Sequence, residues 1–246
     1  MSANDVAGRL LDVLGATVHA APVQGGWVAG GVAMGVLLVA TPLWDLVRPL
    51  VTVVHELGHA LVGMLCGRGF TGFVVSADMS GHTVTRGRPR GPGIVLTTAA
   101  GYPMPALVGA LVIWAASLGW AQLVVLVSCA AFLVALVRSR SVLTVMVLVA
   151  LVVGSGALWW AHDPALRPGL VTALGVVLIA GAWRQWAAVA RTSDPTQDPG
   201  QLARLSGVPA GVWTFLFLAV ISASTAWAVR GLWPRLVDVA AFLGAS

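Results

Sequence analysis

The chain has 246 residues, of which 58% are hydrophobic and 9% charged, with a formal net charge of +5. Soluble domains carry charge on about a quarter of their residues, so this composition excludes a soluble globule. The recurring apolar runs of about 20 residues instead read as an all-α polytopic protein of the lipid bilayer. Every basic residue is an arginine, and the arginines lie between apolar runs. That pattern fits loops held on one side of a membrane and argues against a nucleic-acid partner.

In chain order, residues 1–25 form an interfacial segment. Val6, Leu10, Leu11, Val13, Leu14 and Val18 have the spacing of a helix lying on the membrane surface, with His19 as an interfacial residue near its end. Asp5, Arg9 and Asp12 interrupt any continuous apolar core, so no cleavable leader is expected there. Six to seven transmembrane helices are predicted, near 26–44, 49–66, 93–117, 120–137, 141–161, 169–187 and 211–229, followed by an amphipathic tail. Arg68 marks the return to water after the second.

Residues 67–92 differ in kind. Phe70, Phe73, Val74, Val75, Thr83, Val84 and Thr85 favour strands, and Ala77 to Gly81, with Asp78 among them, supply turn residues, which predicts a small β-hairpin. His82 reads as a surface histidine. Pro103 and Pro105 break the third span. His162, Asp163 and Pro164 form a loop, and residues 188–210, interrupted by Pro195, Pro199 and Pro209, suit a re-entrant segment. Cys66 and Cys129 sit in apolar surroundings as buried small residues, with no disulfide framework.

One stretch carries chemistry. His55 and His59 stand four residues apart, so on a helix both imidazoles leave one face and can share a Zn2+ ion with an open position for water. Glu56, beside the first of them, is the only glutamate in the chain and can act as a general base. Ionisable groups at membrane depth cost several kcal/mol unless paired or metal-bound, which makes a mere packing role improbable for the trio. A catalytic zinc site normally has three protein ligands. Of the remaining carboxylates, the expected side, interfacial position or turn role of the others leaves Asp194 and Asp198.

With the amino terminus on the cytoplasmic side, alternation of the spans places Arg9, the hairpin arginines, Arg138, Arg140, Arg184, Arg191 and Arg204 in the cytoplasm and Arg48, Arg167, Arg230 and Arg235 outside. The positive-inside rule favours that orientation. It gives the histidine pair and the 188–210 segment a shared cytoplasmic access.

Three stretches resemble the site-2 protease family of intramembrane zinc metalloproteases, closest to its compact bacterial branch without a PDZ domain. They are His55-Glu56-Leu57-Gly58-His59-Ala60, Met79-Ser80-Gly81-His82-Thr83 leading to Gly101-Tyr102-Pro103-Met104-Pro105-Ala106-Leu107, and Asp198-Pro199-Gly200-Gln201-Leu202 before Trp213. The resemblance implies zinc held by His55, His59 and Asp198, with Asp194 (after Ser193) as the rival third ligand and Glu56 as base. It further implies a bacterial cell membrane and cleavage of membrane-protein substrates at their transmembrane segments. Family members often have an asparagine near the site, whereas here Asn4 is the only one, so Tyr102, Thr97 and Thr98 become the candidates for oxyanion stabilisation. A strand edge at Val74 and Val75 can hold an unwound substrate by β-augmentation. The competing class is a membrane protein that uses a metal or protons for binding or transport without cleaving anything, or a catalytically silent homologue.

Overall fold

The computed structural model describes residues 3–17, 23–76, 80–161, 166–192 and 194–244. The expectations for His19, Asp78, Ser193 and the loop at 162–164 lie outside these residues. The chain runs α1 (Ala3–Thr17), α2 (Gly25–Ala40), α3 (Trp44–Leu65), β1 (Gly69–Val75), β2 (Gly81–Arg86), α4 (Pro92–Ala99), α5 (Met104–Ser117), α6 (Ala121–Val137), α7 (Val142–Trp160), α8 (Leu166–Val189), α9 (Asp198–Ser206) and α10 (Ala210–Gly244). All seven apolar segments expected as spans are helical, and the single sheet among the described residues is the predicted hairpin.

Small residues set the bundle's packing. Membrane helices associate through close van der Waals contact, which glycine permits. Gly31 lies against the backbone of Gly169, Gly35 against Ala173 and Val176, and the Val39 carbonyl accepts a bond from Arg184. α2 therefore runs parallel to α8. α5 runs antiparallel to α8, with Gly109 on Gly175 and Ala106 beside Ala182. α10 follows α5 in parallel, packing Ile221 near Ala106, Ala228 near Ala110, and Trp227 against Trp114. α6 and α7 form an antiparallel pair, joined by Gln122 to the Trp159 carbonyl and Cys129 to that of Val152.

α3 lies across this bundle. It is bent 99° from α2 at the short break between them. Val51 packs on Gly181 of α8, Val53 on Phe132 and Leu148, Gly58 on Met104, and Gly63 on Thr97. These partners belong to the same end of α8, α6, α7, α5 and α4. α3, the hairpin, α4 and α9 thus cover one end of the bundle.

Three helices among the described residues are long and apolar enough to cross a membrane: α7, α8 and Ala210–Val237 of α10. The count reaches five if each bent pair, α2 with α3 and α4 with α5, is one span, and α6 is a shorter apolar helix. The architecture is thus the expected all-α polytopic one, with 26–44 and 49–66 forming a bent pair in place of two upright spans. The bend between α2 and α3 also bears on where the amino-terminal segment lies. Gly31 meets Gly169 near the start of α8, and Thr17 accepts a bond from Trp159 at the end of α7. The amino-terminal segment therefore sits at the opposite end from α3 and α9, not on the site's side.

Arg68 does not reach water as expected. It is buried, donating from Nε to Thr85 and from its terminal nitrogen to the Arg88 carbonyl, so it ties the end of α3 to the hairpin. The outer edge of β1 is also occupied. Phe73 exchanges backbone bonds with Arg138 and Arg140, and the Val75 amide donates to the Thr144 hydroxyl at 2.8 Å. Gly72, at φ +146°, permits this docking, since a Cβ there would overlap the Arg138 carbonyl.

Candidate metal centre

One helical turn of α3 projects His55 and His59 to the same side, as their spacing requires. Their Nε2 atoms are 3.2 Å apart. Asp198, the first residue of α9, brings Oδ2 to 3.4 Å from His55 Nε2 and 3.3 Å from His59 Nε2. Metal–ligand distances of about 2.0–2.1 Å in tetrahedral geometry give ligand–ligand edges of about 3.3–3.4 Å, so the triangle has the dimensions of one face of a zinc tetrahedron. Asp198 Oδ2 is also buried without a hydrogen-bond partner. A carboxylate oxygen and two imidazole lone pairs converging in a buried site repel one another unless a cation lies between them. These three residues can therefore hold a metal ion.

Their surroundings orient them. His59 Nδ1 lies 2.8 Å from the Thr97 carbonyl, which can only accept. Nδ1 thus carries a hydrogen, which in the neutral imidazole leaves the lone pair on Nε2, facing Asp198 and His55. The His55 ring is held by the ring of Tyr102, edge-on at 4.9 Å between centroids. Tyr102 in turn stacks on Phe217 at 5.5 Å and donates to Gln197 Oε1 at 3.0 Å, so it braces the residue just before Asp198. Leu202, fully buried beside Tyr102 and Phe217, anchors α9 from its inner face. Gly101 packs against the Nε2 ends of the two imidazoles, where a Cβ would overlap both atoms.

Asp194 does not join the group. Its Oδ1 accepts from the Thr196 hydroxyl at 2.7 Å and the Thr196 amide at 2.8 Å. Those bonds, the hydroxyl first, hold its carboxyl below the usual carboxylate range although it is fully exposed. Its Oδ1 is engaged within its own turn, and it lies outside the metal-binding group.

Glu56 is 3% exposed and lies beneath β2. The Thr83 hydroxyl is 2.6 Å from Glu56 Oε2 and 3.1 Å from the Glu56 carbonyl, and Gly81 packs against the carboxylate so tightly that a Cβ there would overlap it. Strand formation was the only signal at Thr83, so its contact with Glu56 was missed. Its neighbourhood, Gly81-His82-Thr83, had stood out only through the resemblance.

These groups line a cavity of about 890 Å3 bounded by α3, α4, β2, α8 and the 192–201 segment. Tyr102, Thr97 and Thr98 all line it, but the two threonine hydroxyls donate to the carbonyls of Gly93 and Ile94 in their own helix. Val74 and Val75 do not line the cavity, because β1 is enclosed by β2 on one edge and by the 138–144 segment on the other. The strand that faces the cavity is β2, through Gly81 to Thr85. His82 lines the cavity and is exposed, outside the metal-binding group.

Comparison with curated proteins and with solved structures returned no match. Residues 28–228, well over half of the chain, match the peptidase M50B-like family. The matched region contains both histidines, Glu56, the hairpin and Asp198. With apolar helices long enough to cross a bilayer, this integral membrane protein belongs to the peptidase M50B-like family, which is the site-2 protease family.

Proposed function

We propose that this protein is an intramembrane zinc metalloprotease that hydrolyses peptide bonds in or near the transmembrane segments of membrane-protein substrates. The observation that carries this reading is the 3.2–3.4 Å triangle of His55, His59 and Asp198 with the Glu56 carboxylate on the same helical turn. When bound, zinc supplies Lewis acidity, polarising the scissile carbonyl and lowering the pKa of water toward about 7.

The chain's own residues account for the remaining steps. Glu56 takes the proton from the attacking water and delivers it to the leaving amine as the carbon–nitrogen bond breaks. Its burial under β2 keeps bulk water from competing for it. A helical segment hides its peptide bonds in its own hydrogen bonds, so the substrate must unwind locally. The cavity-facing strand β2 supports the view that an unwound stretch is held extended there. Tyr102 is the remaining oxyanion candidate, after exchange of its bond to Gln197.

The arginines support a cytoplasmic site face in a bacterial cell membrane. Arg48, Arg68, Arg138, Arg140, Arg184 and Arg191 belong to the α3 end, together with the arginines of the hairpin and α9. Arg167, Arg230, Arg235 and α1 with its Arg9 belong to the other.

The reading is tested by reconstituting the purified protein with a single-span membrane substrate. Wild type is expected to cleave it, to lose activity on chelation and to regain it with added zinc. Glu56→Gln is expected to retain zinc and lose cleavage. Unchanged cleavage by the zinc-loaded Glu56→Gln protein would sink the reading.

A further inference from the structure

We infer that Thr83, on the hairpin strand β2, is a positioning residue for the general base Glu56. The inference rests on the protease reading above and assigns a role that the metal-binding motif does not contain.

Glu56 has no donor within its own helix. Its side chain leaves α3 next to a metal ligand, yet α3 itself offers it no donor, since the helix N–H groups at this depth are engaged in the helix. A carboxylate on a flexible three-torsion side chain has several rotamers, and only some of them aim an oxygen at the space in front of the histidines. The restraint comes from outside the helix. Thr83 Oγ1 lies 2.6 Å from Glu56 Oε2, the short distance of a hydroxyl donating to a charged oxygen. A hydroxyl has one hydrogen, so the nearby Glu56 carbonyl at 3.1 Å competes weakly for it. One fixed oxygen sets the plane of the carboxylate, while Oε1 lies against Gly81.

Gly81 completes the restraint. It stands two residues earlier on the same face of β2, and its missing side chain lets the strand backbone lie directly on the carboxylate. The strand itself is held rigidly, by Arg68 through Thr85 and by β1, which is docked on the 138–144 segment. A rigid donor on a rigid strand is the arrangement that fixes a catalytic carboxylate within a productive geometry.

The experiment uses the full-length protein in bilayers, with zinc content measured for every variant. Thr83→Val, which keeps the shape and removes the donor, is expected to lower kcat about ten- to a hundredfold, with KM and zinc content unchanged. Thr83→Ser, which restores the hydroxyl, is expected to recover most of the loss. Gly81→Ala is expected to lower kcat with zinc retained, because its methyl group displaces the carboxylate rather than the ligands. Wild-type kcat in zinc-loaded Thr83→Val overturns the positioning role while leaving the protease reading intact. A loss that Thr83→Ser fails to rescue overturns it equally. If wild type and Glu56→Gln do not differ in cleavage, the protease reading falls first and the positioning role with it.

Discussion

Gly101 sets the sharpest steric condition on the metal centre. A methyl group at that position would overlap Nε2 of His55 and His59, the two atoms that must converge on the ion. Gly101→Ala is therefore expected to bring bound zinc from near-stoichiometric to little or none, as read by metal analysis of the purified protein. Gly154, on α7 with nothing within reach of an added Cβ, is the matched control, and Gly154→Ala should retain its zinc. The two aspartates make a second contrast. Asp198→Asn removes the charged ligand and should release zinc, whereas Asp194→Asn should leave the metal in place, because Asp194 bonds to Thr196 in its own turn and lies outside the metal-binding group. Zinc lost equally from both variants would overturn the ligand assignment. The histidine pair and its base were legible in the sequence because they share one helical turn. The choice between Asp194 and Asp198 was not, since both occupy the same Pro-rich polar segment. What separates them is which one faces α3, and that depends on the Tyr102–Gln197 bond and the burial of Leu202.

Among the elements, the hairpin was the most legible, because β-branched residues flanking a small polar turn leave few alternatives. What it touches was not legible. Neither the partnership of Val75 with Thr144 nor that of Phe73 with Arg138 is local, and both close one edge of β1. Thr144 is fully buried, so Thr144→Val leaves the Val75 amide without an acceptor. The cost expected for an unsatisfied buried donor is about 1–3 kcal/mol, seen as a lower melting temperature. Zinc content should stay normal, since no ligand lies on the hairpin. α3 shows the opposite case. Its apolar content suits an upright span, and a right-angle bend leaves hydropathy unchanged. Only the packing of Val51, Val53, Gly58 and Gly63 on the ends of successive helices reveals that it lies across them.

For the molecule as a whole, that transverse helix changes the topology. The arginine-rich end carries the site, and the amino-terminal helix is at the other end. With both native cysteines replaced, Asp12→Cys on α1 and Arg88→Cys after β2, both exposed, are expected to react with an impermeant maleimide from opposite sides of sealed vesicles. Arg88→Cys should react from the cytoplasmic side. Labelling of both from the same side would contradict the parallel packing of α2 on α8.

The distance along the chain between the histidines and Asp198 has a consequence for biosynthesis. Chains are made and inserted from the amino terminus, so the motif on α3 enters the membrane with two of its three ligands and waits for α4 to α8 to follow. Only when α9 has docked does the third ligand arrive. Under the proposed function, the nascent chain would therefore lack a complete site until its last third is made. A chain ending at Thr192 should accordingly insert but purify with little zinc, and co-expression of the segment from Asp194 onward should restore the metal.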